Sequence, residues 1–268
     1  VAALAGFAVA AHAIAPPDAT YRGQKMCMMC HKTKTPEIVA KYVKSPMAMA
    51  MTDITDADKV ADVLKADLAS APFGKDKVAY IFASGRHQQA FLDKDLMVLP
   101  QKWLVAEKKW VDTPAVDAGK LCVGCHTTGY NHTDRKWKSL GVGCEDCHGP
   151  GSAHVRSMKK DDILDPGDLK DAHVRAYICG QCHSKGMSKD GATPWPHDFR
   201  PGDDLTAAFN HDTVNGPGQN QQLNDLMGSE HWKNNVVCET CHDPHGDTGN
   251  PDQLLKPVIE LCLSCHSK

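Results

Sequence analysis

Aromatic side chains are scarce in this sequence: Phe, Trp and Tyr make up 6% of 268 residues, and the whole apolar set only 41%. A chain of this length forms one or two compact units, yet it has thin material for a core built from side chains alone. Neither sign of charge dominates, with 30 Lys+Arg against 33 Asp+Glu, which excludes the basic surface of a nucleic-acid binder. No apolar run reaches the roughly 20 residues that a membrane-spanning helix needs. What is abundant is cysteine and histidine, 12 of one and 15 of the other. Something other than Leu and Phe must fill the interior.

The cysteines fall into pairs without remainder: Cys27/Cys30, Cys122/Cys125, Cys144/Cys147, Cys179/Cys182, Cys238/Cys241 and Cys262/Cys265. Each pair is C-x-x-C, and a histidine follows each at once: His31, His126, His148, His183, His242 and His266. A disulfide framework explains an even count but neither the uniform spacing nor the histidines. Zinc ribbons use two such pairs per metal and need no histidine directly after the second cysteine. Covalent haem attachment needs all three residues, and C-x-x-C-H is its signature. At the histidine frequency of this chain, six such matches in six pairs have a chance probability of about 10⁻⁸.

The spacing has a geometric cause. Two thiols add to the two vinyl groups on one edge of a porphyrin, and the next residue then lies beneath the ring, where its imidazole reaches the iron. The pattern therefore implies six covalently bound haem c groups, one per about 45 residues, and the macrocycles supply much of the missing core. With two ionised propionates per haem the formal charge moves from −3 to about −15 in the reduced state. A redox partner protein docking over such propionates is expected to be basic.

Haem is attached to this motif outside the cytoplasmic membrane, so the expected location is periplasmic or extracellular. The start of the chain, V-A-A-L-A-G-F-A-V-A-A-H-A, has the apolar character of a signal-peptide core ending in an A-x-A site at Ala11-His12-Ala13. Residues 1–20 read as the remnant of that segment or as an amino-terminal tail, the one part with a route to membrane contact. Ala15-Pro16-Pro17-Asp18 reads as a stiff linker.

Along the chain, Thr35-Pro36 is expected to cap and open a helix with Ile38, Val39, Tyr42 and Val43 on its apolar face. Thr55 is expected to begin another, carrying Val60, Val63, Leu64 and Leu68. From about 77 to 111 the pattern changes to a small antiparallel β meander, with β-type runs at 78–82, 90–92, 96–99 and 103–105. Beyond 121 no strand is recognisable. The expected class is mainly α and irregular, short helices and long loops around a haem stack. Residues 21–190 would form a four-haem region with the β insertion, and 191–268 an extended wrap and a two-haem carboxy-terminal region.

The second axial ligand decides the chemistry. Histidine on both sides closes the iron for electron transfer, methionine raises the potential, and an open position permits catalysis. Outside the motifs stand His12, His87, His132, His154, His173, His197, His211, His231 and His245. His245 lies three residues after His242, a span of at most about 10 Å, so if it binds iron it binds that of an adjacent haem. The same logic applies more weakly to His148 and His154.

At this point a resemblance enters. The stretches Y-R-G-Q-K-M-C-M-M-C-H, C-V-G-C-H-T-T-G-Y and G-V-G-C-E-D-C-H-G-P-G-S-A-H resemble the tetrahaem cytochromes that accept electrons from hydroxylamine oxidoreductase. The closing G-S-E-H…C-E-T-C-H-D-P-H-G…L-C-L-S-C-H is similar to doubled-motif cytochromes of extracellular respiration. The resemblance implies that His154 closes the haem held by His31, and that a histidine after the first motif closes the haem held by His148. There the sequence reads K-S-P-M-A-M-A-M, with Met47 in place of that histidine. Met47 ligates, another histidine is recruited, or that iron is open; Met47, Met49 and Met51 also suit soft packing beside a haem. His231 and His245 carry over from the resemblance well, His87 and His211 less so.

Three functions follow. The first is a carrier of single electrons through closely packed, mostly bis-His haems; the chain lacks the C-x-x-C-K motif of one kind of multihaem nitrite reductase. The second is an oxidoreductase with one open haem acting on a small nitrogen or sulfur species, steered by Arg86, Arg135, Arg156 and Lys185. The third is self-assembly into an extracellular filament or docking in a respiratory complex, a neighbour's histidine such as His12 completing a terminal haem.

Overall fold

The structure is a computed structural model that describes residues 15–266; the apolar start of the chain, with His12, lies outside the described residues. Short helices joined by long loops surround one five-stranded antiparallel sheet and two small hairpins. Among the described residues no helix is long and apolar enough to cross a membrane.

The sheet is a meander in sequence order: β1 (Met51–Asp53), β2 (Tyr80–Phe82), β3 (Gln88–Leu92), β4 (Gln101–Leu104) and β5 (Lys109–Asp112). Pairing of Ile81 with Phe91, Gln89 with Trp103 and Trp103 with Trp110 puts these side chains on one face, because alternate residues point the same way. That face packs on Val63, Phe73, Val78 and Leu99, a core built of side chains alone. Gln89 is fully buried in it and fully used: its Oε1 accepts from the Lys65 and Ala66 amides, and its Nε2 donates to the Val63 carbonyl. The other face, with Met51, Leu92, Tyr80 and Phe82, packs on Ala118, Cys122 and Val123, so the sheet is the bed on which the second C-x-x-C-H motif rests.

Sequence expectations and structure differ here in instructive ways. The 96–99 run forms only isolated bridges, Leu92 to Val98 and Met97 to Asp117, because the Asp93 carboxylate accepts from the Asp95 and Met97 amides and bends the chain tightly. Helix α1 (Gln24–Lys34) runs directly into α2 (Pro36–Tyr42). Thr35 makes no side-chain cap; its amide donates to the His31 carbonyl and closes α1 instead. In α3 (Ala57–Val63) the cap is Asp56, which accepts from the Lys59 amide, rather than Thr55.

Beyond residue 121 two hairpins occur where no strand was expected: β6 (Thr127–Thr128) with β7 (Ser139–Leu140), and β8 (Gly186–Ser188) with β9 (Phe209–His211). Segment 184–237, read as an extended wrap, carries its own buried residues. Phe199, Leu205, Phe209, Leu223 and Val237 pack with Ala172 and Ala176, so packing is continuous across residue 190. Residues 15–19 are packed as well: Ala15 and Ala19 are buried against Ala153, and the Pro16 and Pro17 carbonyls accept from the Arg200 guanidinium.

Candidate functional site

Each C-x-x-C-H motif is wound on a short helical turn. The His148, His183, His242 and His266 amides donate to the carbonyls of Cys144, Cys179, Cys238 and Cys262, at 2.9–3.0 Å. This i to i+4 bond sets the histidine one turn beyond the first cysteine, with both thiols on the same side of the turn. All twelve cysteines are free thiols. Among the described residues no three His, Cys, Asp or Glu side chains converge as a metal-ion cage.

The imidazoles are oriented by main-chain oxygen. His126 Nδ1 lies 3.0 Å from the Ala50 carbonyl, His148 Nδ1 2.9 Å from Leu164, and His242 Nδ1 2.7 Å from Asp252. A carbonyl only accepts, so each Nδ1 carries the proton and Nε2 presents its lone pair, the form that binds metal. His31 reaches the same state through the Thr35 hydroxyl at 3.2 Å, which itself donates to the His31 carbonyl. Burial holds the His31, His126, His148 and His183 rings below the ordinary imidazole range, again favouring the neutral ligand.

An imidazole nitrogen sits about 2 Å from a bound metal and its ring centre about 1 Å further back, so two axial imidazoles on one iron stand roughly 6 Å apart. Three pairs of rings have that separation: His31 with His154 at 6.3 Å, His148 with His245 at 6.3 Å, and His266 with His231 at 6.1 Å. Each joins a motif histidine to a histidine from another part of the chain. His154 Nδ1 also lies 2.7 Å from a carbonyl, that of Lys159. The ring facing His148 is thus that of His245. Met47 is half-buried, and its carbonyl accepts from the Val142 amide.

The other histidines separate by their partners. His211 keeps a buried Nε2 with no hydrogen-bond partner. His87 is exposed in the loop between β2 and β3, beside Arg86, which pairs with Asp252 in the fifth-motif loop. His173 stacks on Trp232 at 3.8 Å and spends its Nε2 on the Trp232 carbonyl. His132 and His197 lie 4.3 Å apart beside Trp195, too close to straddle an iron. The residues present fit covalently held haem: paired free thiols with an adjacent imidazole at each motif, and, elsewhere, buried polar atoms without partners at His211, Tyr130 and Trp195.

Sequence reasoning missed two kinds of residue. The carbonyls that orient the rings carry no side-chain signal. Glu145, fully buried inside the third motif, takes the Arg22, Gly23 and Gly151 amides at 2.6–3.0 Å and ties the first motif to the third; a carboxylate between two attachment cysteines was the signal available.

Comparison with known proteins bears on the motifs and the fold. Residues 79–149 match the family described as cytochrome c554 and c-prime, and residues 232–268 match the doubled CXXCH motif. The solved outer cell wall cytochrome OcwA superposes on 92% of this chain and 67% of its own, with a TM-score of 0.71 at 20% identity, a likeness of fold. The cytochrome c nitrite reductase subunit NrfA of Nitratidesulfovibrio vulgaris is 25% identical over 170 residues, covering 47% of this chain and 32% of NrfA. The multiheme cytochrome MtrA of Shewanella baltica is 26% identical over 149 residues, covering 48% of this chain and 43% of MtrA. The alignments thus span less than half the length of these curated relatives.

Proposed function

Because this chain is a multihaem c-type cytochrome, we propose that it carries single electrons through six covalently attached haems outside the cytoplasmic membrane, in the periplasm or at the cell exterior. Each haem, when bound, supplies an iron that takes and gives one electron. The protein's part is to fix and close these irons. His31 with His154, His148 with His245, and His266 with His231 would each hold one iron between them, and the buried, unpartnered Nε2 of His211 would hold a further one. A closed iron exchanges electrons without binding substrate, which suits a carrier.

The observation that carries this reading is the set of three imidazole pairs at 6.1–6.3 Å. The second reading in the sequence, an open iron beside Met47, loses its motive where His245 faces His148. Partners are redox proteins that present basic residues to haem propionates. Self-assembly extends the same reading: the Cys30, Cys262 and Cys265 side chains of the first and sixth motifs are exposed, so copies meeting at these motifs would lengthen the conducting path. Absorbance and electron paramagnetic resonance of the exported protein test the proposal. Six low-spin irons are expected; a substantial high-spin fraction overturns the closed-site reading, and native material that is monomeric by electron microscopy removes the filament.

A further inference from the structure

The haem-bearing motifs are not strung in sequence order. His154, six residues after the third-motif His148, faces the first-motif His31. His245, three residues after the fifth-motif His242, faces the third-motif His148. His231, just before the fifth motif, faces the sixth-motif His266. The three to seven residues between each such histidine and its motif reach at most about 10–25 Å, so each crossing makes two attachment sites neighbours: first with third, third with fifth, fifth with sixth.

The fourth motif joins this set sideways. Cys147 of the third motif packs on Ile178 of the Ala172–Gly180 helix, and Gln181 Nε2 donates to the Asp146 carbonyl at 2.6 Å. From the fifth motif, Cys238 packs on the same helix, and Glu239 takes the Arg175 guanidinium. The second motif meets the fourth alone at its thiol edge, where Cys125 Sγ lies 3.8 Å from the Gln181 carbonyl and beside Cys182. Its histidine end meets the third: the Gly141 amide donates to the His126 carbonyl, and the Thr128 hydroxyl donates to Asp146 between the third-motif cysteines. Elsewhere Phe82 of the sheet stacks on His126 at 4.0 Å, and the Trp195 indole lies so close over Gly124 that a Cβ there would overlap it.

We infer that the first, third, fifth and sixth motifs form a through-line, while the fourth and second form a spur attached to it at the third and fifth. This rests on reading the six motifs as haem sites. An electron entering at the exposed first motif leaves at the exposed sixth by successive one-electron exchanges, each oxidising one ferrous iron and reducing its ferric neighbour, with no proton or bond transferred. The second site lies off that line. It is a side site that fills and empties through the fourth and the third.

The test is the exported double variant Cys122→Ala/Cys125→Ala. It should hold one haem fewer than the wild type by mass spectrometry and absorbance. In a potentiometric titration the third and fourth centres should shift while the first, fifth and sixth keep their wild-type potentials. Shifts at the first, fifth or sixth centre would overturn the spur. If the variant does not accumulate, the haem-loaded wild type imaged by cryo-electron microscopy decides. The irons nearest the second must be the fourth and the third, and a second iron lying between any two of the through-line irons refutes the inference. A wild-type haem count below six instead marks failure of the underlying reading, separately from the wiring.

Discussion

The meander and the carboxy-terminal end are built from opposite materials. Around β3, Phe73, Phe91, Trp103 and Trp110 pack ring against ring at 5.2–5.9 Å, within a core that needs no cofactor. In the Val258–Leu263 helix no residue is buried, and Val258, Ile259 and Leu263 are more than half exposed. The difference shows how a chain with few aromatics distributes them: it concentrates side-chain packing in one insertion and leaves the attachment sites to be completed by the groups they hold. Between these extremes, the third motif uses a polar device, the Glu145 carboxylate collecting three main-chain amides.

The contrast can be broken most severely at its weaker end. Cys262→Ala/Cys265→Ala should remove one haem and make the chain beyond residue 254 susceptible to limited proteolysis, while the meander stays protected; equal protection of both regions would contradict the contrast. Next in size, Glu145→Ala orphans the buried Gly23 and Gly151 amides at about 1–3 kcal/mol each, and denaturation followed at the haem absorbance should show the loss. Phe91→Ala empties the meander core and should cost about 3–5 kcal/mol, read by Trp fluorescence, with haem content unchanged. The smallest effect concerns pH. Burial pushes the Asp146 carboxyl up to about 7, so the folded state favours its protonated form. The stability this contributes is present below the ordinary carboxylate range and is lost as pH rises through about 7. Asp146→Asn should flatten that decline in melting temperature; an unchanged pH profile would remove Asp146 as its source.

What the sequence made legible was local. Cysteine spacing and the histidine after it are contiguous in the chain, as is the alternation that marks β2, β3 and β4. The first strand, Met51–Asp53, was hidden because Met51 read as soft packing beside a haem, whereas it is buried under Leu92 and Val98. The match of His245 to His148 was hidden for another reason. His245 stands 97 positions from its facing ring in the numbering, and only the constraint that it could not reach its own haem was readable. The hairpins beyond residue 121 are too short for periodicity to register. In the segment after 184, Pro, Gly and Asn masked the scattered apolar residues that form its core.

The acceptors that fix His126, His148, His154 and His242 are all peptide carbonyls. Such a partner strengthens the basicity of the ring it orients and so tunes the metal, yet no side-chain substitution can delete it. Redox tuning at these positions is therefore a property of the backbone trace. It should persist as surrounding residues drift, and it will yield only to changes that move a loop.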